Sequence, residues 1–162
     1  MLLSRKWRLL VLASRWDRCY VPIYEAVARD RPVRLLKTLM TNSCWSSCLY
    51  CPLRCFSAKT KASWRPGKLA RVALMLWREK RVDGVFLSSS LPGDPDKVME
   101  LQLAAVRELR SLGFTGYVHL RLMPGVSRHL VAEAAELADR MGVNLEAPSA
   151  DVFEEICPDK GS

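Results

Sequence analysis

From Pro32 onward the chain alternates short apolar runs with amphipathic stripes, and this alternation restricts the fold more than any other feature. Residues 33–40 read as a first strand, and residues 69–80 carry Leu69, Val72, Ala73, Leu76 and Trp77 on one helical face. Residues 82–87 read as a second strand. A helix over 96–112 follows, striped by Val98, Leu101, Ala105 and Leu109, with Asp94 as its cap and Gly113 as its stop. A third strand over 116–123 ends at Pro124-Gly125. Ser127 then opens a helix that runs through Met141 and closes at Gly142. Residues 143–147 read as a fourth strand, with a further helix after Pro148-Ser149. Four strand–helix units in succession predict an α/β fold with a parallel sheet and right-handed crossovers, its strands buried on both faces.

In such sheets ligands bind beyond the carboxyl ends of the strands. Those ends carry the loop after the first strand, Ser88-Ser89-Ser90, residues 119–123 and residues 144–147. His119 and Arg121 share one face of the third strand at i, i+2 spacing, and Asn144 and Glu146 share one face of the fourth. His129 reads as a surface residue.

The loop after the first strand is the chemical centre. Cys44, Cys48 and Cys51 stand at C-x3-C-x2-C spacing where the strand opens, so three thiolates are expected to converge on one point. Thiolate is the ligand that both zinc and iron–sulfur clusters demand. Three thiolates leave one iron of a [4Fe–4S] cube without a protein ligand, an open corner for chemistry. Cys55 extends the pattern to four thiolates, which would instead close a structural zinc site or saturate a cluster. That alternative is a non-catalytic metal-binding module docking on nucleic acid. Single-cluster electron transfer is a third reading.

The chain has 162 residues, enough for one core, and six cysteines whose clustering points to metal ligation in a reducing cytoplasm rather than to disulfides. Its longest apolar runs fall short of the ~18 residues of a membrane span. The N-terminal run at residues 9–13 is too short for an export signal, so no export is read. Residues 1–31 read as a basic extension containing one short helix around 20–27, with Trp7, Trp16 and Cys19 as packing residues. The net charge of +8 is concentrated before the cysteine loop and would attract a polyanion such as nucleic acid. Cys55 reads as an incidental thiol, and Cys19 and Cys157 as isolated ones.

The C-x3-C-x2-C loop, with aromatic Tyr50 before its last cysteine, resembles the radical S-adenosylmethionine (SAM) superfamily. Residues 36–42, Cys51-Pro52, residues 86–89, residues 116–121, Met123-Pro124-Gly125, residues 143–146 and residues 158–160 look like the radical SAM group of DNA modification or repair proteins. The resemblance implies that residues 32–162 are the first four βα units of a partial (βα)6 TIM-like barrel. It implies cluster ligation by Cys44, Cys48 and Cys51, and SAM chelated to the open iron. One electron from the cluster would cleave SAM to methionine and a 5′-deoxyadenosyl radical. The electron donor would be a flavodoxin or ferredoxin. Tyr50 matches the aromatic near the adenine, and Ser88, Ser89 and Ser90 stand where the family places the Gly-Gly-Glu that holds the SAM amino group. Asn144 and Glu146 look like the polar pair for the ribose and amino-acid part, and an inward Arg121 would pair with the SAM carboxylate. The family barrel has six units, so this chain reads as truncated, with later units missing or supplied by a partner chain.

Overall fold

In the computed structural model of the chain, which describes residues 23–28, 31–55 and 60–160, the apolar runs become strands and the amphipathic stripes become helices. The strands are β1 (Ile23–Ala28), β2 (Arg31–Leu39), β3 (Gly84–Ser88), β4 (Tyr117–Arg121) and β5 (Arg140–Gly142). The helices are α1 (Pro66–Arg78), α2 (Pro95–Ser111), α3 (Arg128–Leu137) and α4 (Ala150–Ile156), and a 3-10 turn follows at Pro158–Lys160. The sheet runs β1-β2-β3-β4-β5, parallel except for β1, and it is open rather than closed into a barrel. Consecutive parallel neighbours joined by crossovers of one hand put the helices on one face. Leu36, Val85, Leu87, Val118 and Leu120 on that face share one buried cluster with Leu69, Ala73, Met99, Leu103, Val106 and Ala134.

Local chemistry sets the helix ends. Pro66 and Pro95 occupy the first turns of α1 and α2, where a missing N–H costs nothing. Asp94 caps α2, its Oδ1 accepting from Asp96 N at 2.9 Å, and Ser149 Oγ accepts from Val152 N at the start of α4. Ser127 makes no cap bond to its own helix. Its N–H and hydroxyl donate instead to the Asp96 carboxylate, which ties the start of α3 to α2 and holds that carboxyl below its ordinary range.

Two expectations are corrected. The helix read around residues 20–27 is a strand over Ile23–Ala28, paired antiparallel with β2 from Ile23↔Leu36 to Ala28↔Arg31. Ile23, Tyr24 and Val27 suit a pleated surface, and the pairing covers the edge of β2. The helix expected to reach Met141 stops at Leu137, and the strand expected over 143–147 lies at Arg140–Gly142. Asp139 causes both changes. Its N–H donates to Val118 O (2.9 Å) and its carboxylate accepts from Val118 N (2.7 Å), drawing the chain out of the helix onto the edge of β4. Trp7, Trp16 and Cys19 lie outside the described residues. Among the described residues no helix is long and apolar enough to cross a membrane.

Candidate active site

β2 and β3 are parallel, so their carboxyl ends open at the same edge, and the loops leaving them are laced together. Met40 N donates to Ser88 O (2.8 Å), Ser90 N to Thr41 O (3.1 Å) and Trp45 N to Leu91 O (2.9 Å). Buried Asn42 anchors the start of the cysteine loop, donating from Nδ2 to Thr60 O (2.9 Å) and accepting from Ala62 N at Oδ1 (2.7 Å). These bonds fix where the cysteines begin.

The loop then folds over a cavity of about 380 Å³. Cys44, Cys48, Cys51, Tyr50, Ser88, Ser89, Ser90, Arg121, Asn144 and Glu146 all line it, so every residue that the resemblance matched to the cluster or to SAM borders one space. Cys55 does not line it; its N–H donates to Ser46 O (2.9 Å) at the foot of the loop. Asn144 and Glu146 arrive by a different route from the one expected. They follow β5 rather than belonging to a strand, and Glu146 takes a left-handed backbone (φ 65°). His129 is exposed on α3, as read.

The segment that completes the loop's support carries no metal-ligand spacing of its own. Leu49 N donates to Ile156 O (2.9 Å), and Ser47 N donates to Asp159 Oδ2 (2.6 Å). Cys157 is not an isolated thiol. It is buried against the loop, its Sγ donating to Tyr50 Oη at 3.8 Å, and Lys160 from the same segment lines the cavity. Only spatial contact between distant parts of the chain shows these partners.

Burial sets the electrostatics. It pushes the Cys48 thiol up to about 11, against the pull of the Lys160 ammonium. Burial also raises Cys51, and it raises the Tyr50 hydroxyl with help from Glu146. Ser46 Oγ is buried within the loop without a hydrogen-bond partner among the described residues. Among those residues no three His, Cys, Asp or Glu side chains gather around a single ion. The expectation that the thiolates converge on one point is therefore corrected: the three cysteines line one cavity without gathering about a single point.

Beneath the cavity, His119 stacks flat on Phe86, with centroids 4.2 Å apart and an interplanar angle of 7°. Burial, then Arg121, Arg140 and Lys37, lowers His119 from the ordinary 6.5 to about 4. A base depressed in the fold is neutral there but protonates when unfolded. Its stabilising share is complete above about 6.5 and lost as the pH falls towards about 4. Unfolding in urea should thus show the fold losing on the order of 2 kcal/mol across that window. His119→Gln should flatten the slope there, and an unchanged slope would contradict this account.

No family model matches the chain, and no curated protein matches it. Among solved structures, it is similar to the crystal structure of HydG, a maturase of the [FeFe]-hydrogenase, with a TM-score of 0.64 at 12% identity. The likeness covers 78% of this chain and 29% of HydG, so the chain spans less than a third of that protein's length. At this identity the likeness is one of fold.

Proposed function

We propose that the chain is a radical SAM protein in which Cys44, Cys48 and Cys51 hold a [4Fe–4S] cluster and the adjoining cavity holds S-adenosylmethionine. One observation carries the reading: the three cysteines border the same 380 Å³ space as Tyr50, Ser88, Ser89, Ser90, Arg121, Asn144 and Glu146. The fold-level likeness to HydG supports a radical SAM relationship at the level of fold.

The donor set fits the group. A cube distributes three thiolates over three irons, so three cysteines that line one cavity suit it, whereas a tetrahedral zinc needs four donors about one ion. When bound, the cluster would supply the electron, taken from a flavodoxin or ferredoxin, that cleaves SAM to methionine and a 5′-deoxyadenosyl radical. The chain's own residues bind and orient. The serines at the end of β3 offer hydroxyl and carbonyl acceptors to the SAM ammonium, without a carboxylate's charge. Arg121 offers its guanidinium to the carboxylate, Asn144 and Glu146 accept ribose hydroxyls, and Tyr50 flanks the adenine. A nucleic-acid substrate belongs to the same proposal, supported by the net charge of +8.

Electron paramagnetic resonance of the anaerobically reconstituted, reduced chain tests the reading. The expected result is a [4Fe–4S]⁺ signal whose g-values shift on addition of SAM, because SAM reaches the open iron. A signal indifferent to SAM, or stoichiometric zinc in place of iron, would overturn it and favour the four-cysteine module.

A further inference from the structure

The sheet face opposite the helices carries an unusual charge pattern. Pairing places Lys37 beside Phe86, Phe86 beside His119, and His119 beside Arg140, one row across β2 to β5. Arg121 stands two residues further along β4, on the same face and at the cavity wall. Phe86 is the hub: the Arg121 guanidinium lies 5.6 Å from its centroid and the Lys37 ammonium 5.2 Å. Among the described strand residues this face has no Asp or Glu; Glu25 and Asp83 turn away from it, beside Arg34. No carboxylate pairs with Arg121 or Arg140 among the described residues. His119 Nε2 is buried there with no hydrogen-bond partner. Gly142 lets both side chains pack against its backbone: a Cβ would come 2.9 Å from Arg121 Nη1 and 3.7 Å from His119 Nε2.

We propose that this face is an oxyanion subsite, in which a phosphate or carboxylate group of the substrate sits against His119 and Arg140, with Arg121 standing between it and the SAM carboxylate. The Arg140 guanidinium, with no carboxylate partner among the described residues, would gain an ion-pair partner, and the buried imidazole nitrogen a hydrogen bond. Burial first, and then the charges of Arg121, Arg140 and Lys37, lower the proton affinity of His119. The subsite rests on the reading above, since the cavity that meets it at Arg121 is the one assigned there to SAM. The substrate is thereby an anionic molecule, anchored by its charged group below the cysteine loop.

The chain has two histidines, so each can be followed separately by nuclear magnetic resonance of the ¹⁵N-labelled protein. Inorganic phosphate should raise the His119 titration midpoint by about one pH unit, as an opposite charge at contact distance does. Exposed His129 should not move. Arg140→Gln should raise the His119 midpoint in phosphate-free buffer, by removing a like charge, and should cut the phosphate-induced rise at least by half. Acetate in place of phosphate separates the sources: a response to both marks a general oxyanion subsite, and a response to phosphate alone marks a phosphate group.

No movement of His119, or equal movement of His129, would overturn the proposal. So would loss of the phosphate response when the reconstituted chain is saturated with SAM, because the subsite would then be the SAM carboxylate's own. SAM retention by equilibrium dialysis separates the two readings. A chain that retains no SAM yet responds to phosphate at His119 keeps the subsite and loses the radical SAM assignment.

Discussion

Cys48→Ala is expected to reduce cluster iron on anaerobic reconstitution at least tenfold, to the level of a chain without the cluster. Cys48 is only 3% exposed and lines the cavity, so no solvent-borne ligand readily takes its place. Alanine removes the thiolate and leaves two protein ligands for a group that needs three. Cys44→Ala and Cys51→Ala should behave alike. Cys55→Ala should keep full iron, because Cys55 lies outside the cavity and its backbone N–H, which the substitution keeps, donates to Ser46 O. The two arms separate the readings. Full iron in Cys48→Ala would end the cluster assignment, and equal loss in Cys55→Ala would mean a four-thiolate site. A urea midpoint for each variant shows whether lost iron reflects lost ligation or a lost fold.

The fold was legible where one segment carried its own signal. α2 has an apolar stripe, an Asp94 cap and a Gly113 stop, and it formed as read, within a residue at either end. β3 is a short apolar run buried on both faces, β4 alternates buried Val118 and Leu120 with half-buried Tyr117, His119 and Arg121, and both lie where the pattern put them. β1 has strand formers in Ile23, Tyr24 and Val27 but is too short for its pattern to separate strand from helix, and β5 was not legible, because pairing rather than composition makes it a strand. Arg140-Met141-Gly142 has no strand character of its own and is extended because Asp139 engages the backbone of Val118. Asn144 and Glu146 belong to the cavity even though the strand expected to carry them lies elsewhere. A chain leaving the carboxyl end of a parallel strand arrives at the site either way. Cys157 was beyond reach: its partner Tyr50 is 107 residues away, and no spacing rule links them. The Phe86–His119 stack was half visible. Alternation gave the inward face of each strand, but not the register that sets them side by side.

Gly84→Ala is expected to destabilise the fold by about 3 kcal/mol or more, and to dismantle the site with it. A Cβ on Gly84 would lie 2.3 Å from the carbonyl oxygen of Tyr117 and 2.8 Å from its Cβ. The obstruction is backbone, so no side chain can swing aside, and β3 must move away from β4. That movement breaks the pairing that begins at Gly84↔Tyr117, and it pulls on Asp83, whose carbonyl accepts from Tyr117 N at 3.1 Å. Several of the groups that face the cavity or the basic row are carried by this pair of strands. Ser88 ends β3, Arg121 ends β4, and Phe86 and His119 stack across the seam. Gly93→Ala is the control: no atom lies within 4 Å of its added Cβ, and its φ is outside the left-handed region, so it should be neutral or slightly stabilising. Urea unfolding followed by circular dichroism checks both variants. A Gly84→Ala chain with an unchanged midpoint would mean that β3 and β4 are not packed as described. An unfolded chain that still bound SAM would mean that the cysteine loop alone, without the sheet edge, makes the site.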